Sequence, residues 1–543
     1  MPCLNLSSLR KSRAQYNYSP LPERYIRLLY VSSNPVCTTY TLKAVKLRDA
    51  GSYTALSYVW GSSERTHSII CDGKTLQVTR SVFELLTSDH AKSNKDWPYW
   101  IDAICINQND NEEKADQIRK MHQIFTSAEK VTVWLGQTDQ NSDLAMDKLL
   151  ALSFCSRDLE AYENGRELTS DSQGLGYLRG LNGDEQEKIA RALGSLCCRP
   201  WFLRVWTFQE IILAGRRAFL TCGSRSMRWY EFAEATRFVA RATVHGFSFV
   251  FENASVGMHS VESIQEMLLL SRLRERERNG LHLPQLLGVA SRKSTTNPLD
   301  RVYGVLGLAP PALRSRIRIN YGDESEAAKQ QLNIECLKAC IKHDPELSLL
   351  YMVSGSEPQA GLPSWCPNLY SGKLRTLAMG LQGRAGISSR SVVNGQLPKA
   401  SCQANSNLLR AHGYNLDTVG TVARTTYHWS DFAQNLEKPT VDDAKGNLAW
   451  LQEVSALLKQ HEHTDIPVST ILTLAEGDLP AFKDVSLQEA LKHNIEIWQH
   501  SIDPDHPVPQ IEERVRTAAF VLHSRFLTNC HHRKVRFVRA KVH

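Results

Sequence analysis

The apolar run "YWIDAICI" ends at Ile106 and opens directly into Asn107, Gln108 and Asp110. Amide and carboxylate side chains bind ligands by hydrogen bonding to hydroxyls, phosphates or ring nitrogens, and their place beyond a buried segment makes these three candidates. In open α/β sheets the ligand crevice lies outside the carboxyl ends of the strands, so polar residues just past a strand face it. Tyr58, Trp60 and Gly61 close an earlier apolar run, "YTALSYVWG", in the same way. The alternative for Asn107 and Asp110 is helix capping, because Asn and Asp both rank high at that position. Asp102, inside the run, reads as a loop-holding carboxylate with donors around it, since a buried charge without partners is costly. Cys105 reads as a small core hydrophobe and not as a nucleophile.

The elements that must position these residues follow from periodicity. Short apolar runs alternate with helical patterns from Ser52 to about Trp229, which predicts an α/β layer with a mostly parallel sheet. "SIICDGKTLQV" holds Asp72-Gly73 between β-prone runs, a hairpin signal. Ser81 and Glu84 have capping-box spacing at the head of a helix. "YWIDAICI" reads as a strand buried on both faces. Ala115, Ile118, Met121 and Phe125 share a helical stripe, "KVTVWLG" is a further strand, and "NSDLAMDKLLAL" a helix capped by Asn or Ser. "CCRPWFLRVWTFQEIILAGRRAFLTCG" predicts a helix through Glu210 and then a strand.

Residues 156–190, rich in Gly and polar residues, read as an insertion or mobile loop within a domain of residues 51–230. A lead-in segment, residues 1–50, precedes that domain. Residues 231–543 read as mainly helical, around Ile334, Leu337 and Ile341 and again from Val515 to Leu522, with "LPSWCP" and "DPDHPVPQ" as loops.

The chain has 543 residues, 42% of them hydrophobic and 22% charged, in the ordinary globular range. No apolar run approaches the ~20 residues that span a bilayer, and the first residues lack the apolar stretch of a secretory signal. The 13 cysteines are scattered without C-x-x-C pairs, which points to reduced thiols and a cytoplasmic setting. A net charge of +7 is modest for this length, so nucleic acid is not an expected partner. "GLGYLRG" lacks the dinucleotide fingerprint spacing, and "HEH" at His461 to His463 and "CHH" at Cys530 to His532 lack spaced partner ligands, so no metal site is expected. The basic tail "RFLTNCHHRKVRFVRAKVH" reads as a solvated edge strand.

Four blocks carry a family resemblance. "YTALSYVWG", "WIDAICINQND", the "EK…Q…M" helix ending in "IFTSAEKVTVWLG", and "RPWFLRVWTFQE" resemble, in order and spacing, the signature blocks of the fungal heterokaryon incompatibility (HET) domain over about Tyr53 to Ala214. "RYIRLLYV", "TTNPLDRVYGVLGLA" and "LPSWCPNL" resemble segments that flank it. One departure is that many relatives continue past the basic strand with a Gly-Leu-Gly-Pro segment that is lacking here.

The resemblance implies a role in non-self recognition and programmed cell death. It also implies a remote relation to TIR domains, whose flavodoxin-like, doubly wound fold can hydrolyse NAD. "TALSYVW", "WIDAICI" and "VTVWL" would then be adjacent parallel strands of one sheet over residues 53–222. TIR enzymes place a catalytic Glu four residues after a Trp, on the helix that follows the third strand, and Trp206 and Glu210 have that spacing. The resemblance thus implies Glu210 as catalytic carboxylate and Tyr58, Trp60, Gly61, Asn107, Gln108 and Trp206 as substrate-binding residues. Asp102 and Asp110 would hold the loop. NAD is the candidate substrate, with no metal and no cofactor required. Read from the residues alone, Glu210 is a structural carboxylate and Trp206 a core aromatic. The competing function is a non-enzymatic module that assembles through the HET domain, with self-association or another protein as its partner.

Overall fold

The structure, a computed structural model, describes residues 13–33, 38–88, 98–153, 182–242, 249–277, 279–343, 352 and 361–370, with short stretches beyond residue 400. The chain divides into two compact units, the first closing at Leu332 and the second containing Asn333 onward. The first unit is built on a nine-stranded sheet in the order β5-β4-β2-β1-β6-β3-β7-β8-β9. Its strands are β1 (Tyr25–Ser33), β2 (Thr38–Lys46), β3 (Thr54–Tyr58), β4 (His67–Cys71), β5 (Lys74–Val78), β6 (Tyr99–Trp100), β7 (Lys130–Trp134), β8 (Ala218–Cys222) and β9 (Arg225–Arg228). The helices are α1 (Arg80–Thr87), α2 (Asn111–Ser127), α3 (Ser142–Ser153), α4 (Gly183–Cys197), α5 (Val205–Ala214), α6 (Trp229–Ala242), α7 (Ala254–Arg276), α8 (Leu283–Ser291), α9 (Asp300–Leu306) and α10 (Glu326–His343), the last crossing into the second unit.

The sheet is mixed, which corrects the mostly parallel expectation. β6, β3, β7 and β8 run parallel, as do β2 and β4, whereas β5-β4, β2-β1, β1-β6 and β8-β9 are antiparallel. Three of the four antiparallel pairs are hairpins, whose short connections cannot cross over as parallel ones must, whereas β1 and β6 pair across a long stretch of sequence. At the β4-β5 turn Asp72 and Gly73 both take positive φ, 50° and 72°, as a tight two-residue hairpin needs. Counted in chain order, the four central parallel strands have the spatial order 2-1-3-4.

"YWIDAICI" is a strand only through Trp100. Asp102–Cys105 is a helical turn, closed by the Cys105 N–H donating to Ile101 O at 2.6 Å. An apolar run buried on all sides cannot by itself distinguish strand from buried helix. The predicted cap of α1 also moves. Thr79 accepts from Val82 N, while Ser81 turns away and its hydroxyl donates to Trp60 O at 2.9 Å.

Of residues 156–190, those through 181 lie outside the described residues. From Gly183 the chain is helical, with Asn182 and Glu185 forming a reciprocal capping box, so this part is not the loop expected. "GLGYLRG", "HEH", "CHH" and Val515 to Leu522 also lie outside the described residues.

Aromatic rings fill the core beside the sheet. Trp100, Trp201, Trp229, Phe125, Phe202, Phe208 and Phe232 are fully buried, with Phe202 stacked on Phe232 at 5.3 Å between centroids. In the second unit Asn333, Ile334, Leu337 and Ile341 are buried on the end of α10. Two small sheets follow, β10 (Ala400–Cys402) with β11 (Leu409–Ala411) and β12 (Thr418–Val422) with β13 (Val538–Lys541), so the region after 343 is not helical throughout. The basic tail thus contributes a strand over its described residues. Among the described residues no helix is long and apolar enough to cross a membrane.

Candidate functional site

The carboxyl ends of β3 and β6 meet, and the polar residues around them interlock. The Tyr58 hydroxyl donates to Asp102 Oδ1 at 3.0 Å and the Trp60 indole N–H donates to Asp102 Oδ2 at 2.8 Å. Ala103 N–H donates to Oδ1 at 2.7 Å, so Asp102 has donors on both oxygens. Burial nevertheless dominates and raises its pKa, as these hydrogen bonds and the Arg204 charge only partly offset the loss of water.

The other half of the cluster comes from α5. Glu210 is 6% exposed and points inward. The Trp201 indole N–H donates to Ser57 Oγ at 2.8 Å, and the Ser57 hydroxyl donates in turn to the Glu210 carboxylate. Burial pushes Glu210 from its usual 4.5 up to about 8. The Ser57 hydrogen bond and the Arg204 charge pull it down, while the nearby Asp102 charge raises it. Arg204, Trp60 and Asp102 are only half-buried, and Arg204 and Asp102 lie close enough for their charges to act on it.

The raised pKa has a sign. Between pH 4.5 and about 8 the folded chain holds a proton on Glu210 that the unfolded chain has shed, so stability is full below that window and is lost as pH rises through it. Wild-type stability should therefore fall by more than about 1 kcal/mol across the window, and Glu210→Gln should remove most of that fall. Asp102, raised in the same direction, leaves a remainder. Denaturant melts at a series of pH values check it, and parallel curves for the two proteins would contradict it.

The Asn107-Gln108 loop sits against this cluster, and each of the two side chains makes one hydrogen bond within it. Gln108 Nε2 donates to Asp102 O at 2.9 Å, and Asn107 Oδ1 accepts from Asn109 N at 3.3 Å. Asp110 is the N-cap of α2, accepting from Glu112 N and Glu113 N at 3.0 Å each. A buried ion pair braces the loop from behind. Arg27 of β1 reaches Glu113 at 2.5 and 2.9 Å and donates to Cys105 O and Ser19 O, while Glu113 also accepts Asn107 N–H at 2.7 Å. Cys105 is sealed, its thiol pushed up to about 12 by burial, which fits core packing and not nucleophilic chemistry.

Gly61 turns the chain away with φ +66°, and a Cβ there would stand 3.0 Å from the Ser81 hydroxyl that holds Trp60 O. Gly61→Ala should cost about 1–2 kcal/mol through the left-handed backbone. It should also loosen Trp60, read as a change in tryptophan fluorescence. An unchanged melting curve would show that the turn is not under this constraint.

Trp206 is placed differently from Trp60. One helical turn before Glu210, it packs against α9, where a Cβ built on Gly304 would stand 3.6 Å from its indole Cδ2. Ser57, Trp201 and Arg204 are thus site residues that the sequence reading passed over. Ser57 and Arg204 lie inside the quoted blocks, and the inward alternation of β3 could have marked Ser57. Among the described residues no group of three or more His, Cys, Asp or Glu could hold a metal ion, and no disulfide occurs.

Residues 53–210 match the family model described as Heterokaryon incompatibility protein (HET). Heterokaryon incompatibility protein 6, OR allele, of Neurospora crassa is 28% identical over 406 residues, which cover 64% of this chain and 58% of that protein. The chain therefore spans less than two thirds of that relative's length. No solved structure matches.

Proposed function

We propose, for a chain whose residues 53–210 form a heterokaryon incompatibility domain, that it acts in heterokaryon incompatibility and cell death, and that the domain does so by hydrolysing NAD to nicotinamide and ADP-ribose. The observation that carries this reading is the Glu210 carboxylate. It is held inside a polar cluster at the carboxyl ends of β3 and β6, one turn after Trp206, with Arg204 close to it. The 2-1-3-4 order of the central parallel strands supports it, since flavodoxin-like sheets share that order and bind ligands at the strands' carboxyl ends.

The chemistry needs one carboxylate. Breaking the bond between ribose C1′ and the nicotinamide nitrogen sends the electron pair to the ring, which leaves neutral, so no general acid is required. Positive charge builds on the ribose as an oxocarbenium ion, as in glycoside hydrolysis, and ionised Glu210 stabilises it. Water then adds to C1′ and its proton passes through Glu210 to solvent. Trp60 and Gly61 border the ligand, and Asp102 holds Tyr58 and Trp60 in place.

A second reading, a non-enzymatic module that self-associates or recruits another protein, is favoured by the same burial, because Glu210 is mostly protonated at neutral pH in this state. Concentrated full-length protein incubated with NAD separates the two. Nicotinamide release is expected for the enzyme. A folded, self-associating protein that releases none leaves the scaffold reading.

A further inference from the structure

The helical turn Asp102–Cys105, which carries the carboxylate that holds Tyr58 and Trp60, is four residues long. A single turn does not hold its own shape, because helix nucleation fixes several residues for one hydrogen bond and the last carbonyls find no partner within the turn. Here those carbonyls are met from the amino-terminal part of the chain. Tyr18 donates its hydroxyl to Ile104 O at 2.8 Å, and Arg27 donates to Cys105 O at 3.1 Å. The two donors are themselves joined. The Arg27 guanidinium stands 5.1 Å from the Tyr18 ring centroid and donates to Ser19 O at 2.7 Å. Tyr16 meets Tyr18 edge to face, 5.2 Å between centroids. Its backbone is fastened to β5, at the end of the sheet: Tyr16 N–H donates to Thr75 O at 2.9 Å, and Thr75 N–H donates to Ala14 O at 3.0 Å. Residues 14–19 are thus a strap from β5 to the Asp102 turn, and they precede the stretch that matches the HET family.

We infer that Tyr18 is a positioning residue of the candidate site and acts through this turn. By holding Ile104 O it keeps Asp102, two residues earlier, where its carboxylate can accept from Tyr58 and Trp60. Displacement of the turn at Ile104 is therefore passed to the Asp102 carboxylate and from there to the Trp60 indole. Because Asp102 O accepts from Gln108, the Asn107-Gln108 loop moves with it. The hold of Tyr18 on the turn is independent of the hydrolase reading, whereas its effect on NAD rests on that reading. The working unit of the domain consequently begins with the strap and not at Tyr53.

The test compares full-length wild type with Tyr18→Phe, which keeps the ring against Tyr16 and Arg27 and removes only the hydroxyl. Hydrogen exchange at the Cys105, Ile106 and Asn107 amides is expected to quicken about tenfold while β7 and β8 stay as in wild type. The Trp60 indole signal, read with nitrogen-15 in the tryptophans and identified by its loss in Trp60→Phe, is expected to move. Tyr16→Phe leaves the Ile104 bond in place and should change neither. With NAD, Tyr18→Phe should raise KM about threefold or more with kcat within about twofold, the pattern of lost ground-state binding. Unchanged exchange in the turn, or an equal rise throughout the sheet, overturns the positioning role. A faster-exchanging turn with an unmoved Trp60 signal overturns its reach to Asp102, and a moved signal with unchanged KM overturns its link to the ligand. Wild-type protein that releases no nicotinamide defeats the hydrolase reading by itself, and exchange and the indole signal then decide the hold of Tyr18 alone.

Discussion

Glu210→Gln is expected to keep the fold and to lose roughly a hundredfold or more of NAD cleavage, about 2.7 kcal/mol of barrier at about 1.36 kcal/mol per tenfold. Gln matches the protonated acid in size and can still accept the Ser57 hydroxyl, so the buried cluster stays satisfied. What it cannot do is become negative as charge builds on the ribose, and that electrostatic contribution is the one removed. A structural role would give the reverse pattern, with activity falling only as far as the folded fraction falls. If the wild type kills cells, a Gln variant expressed at the same level should not. Full killing by that variant would exclude Glu210 as the catalytic group.

Glu113→Ala should show the contrasting pattern, a loss of about 3–5 kcal/mol of stability, because it strands the buried Arg27 guanidinium without its counter-charge. Arg27 and Glu113 side chains are 5% and 8% exposed, so water cannot readily take over. The same change releases Asn107 N–H and loosens the loop under Asp102. The denaturant midpoint reports the stability loss, and activity per folded molecule should change far less than in Glu210→Gln. A midpoint near that of wild type would mean that water or Ser19 and Cys105 carbonyls alone can hold the Arg27 charge.

The contrast between these two glutamates shows what the sequence made legible. Glu210 stood out through its spacing from Trp206, and β3, β7 and β8 through apolar runs bounded by polar residues. Glu113 gave no sign, since a Glu in the first turn of a helix is ordinary and its partner lies on β1, 86 residues away. The antiparallel pairing of β1 with β6 was hidden for the same reason. Asp102 was legible as a loop-holding carboxylate, but its donors Tyr58 and Trp60 come from the end of the neighbouring strand and the residues just after it, and not from the local backbone alone. Gln108 read as a ligand contact because it follows a buried run. One N–H of its amide donates to Asp102 O, across the helical turn that the apolar run concealed.

Nicotinamide release, followed for wild type and Glu210→Gln in parallel at pH values on either side of about 8, tests the central claim most directly. If ionised Glu210 performs the cleavage, the wild-type rate should climb tenfold per pH unit below that value and level off above it, with the Gln variant low and flat throughout. A wild-type rate independent of pH and matched by the Gln variant, or no release from folded wild-type protein at any pH, would contradict it.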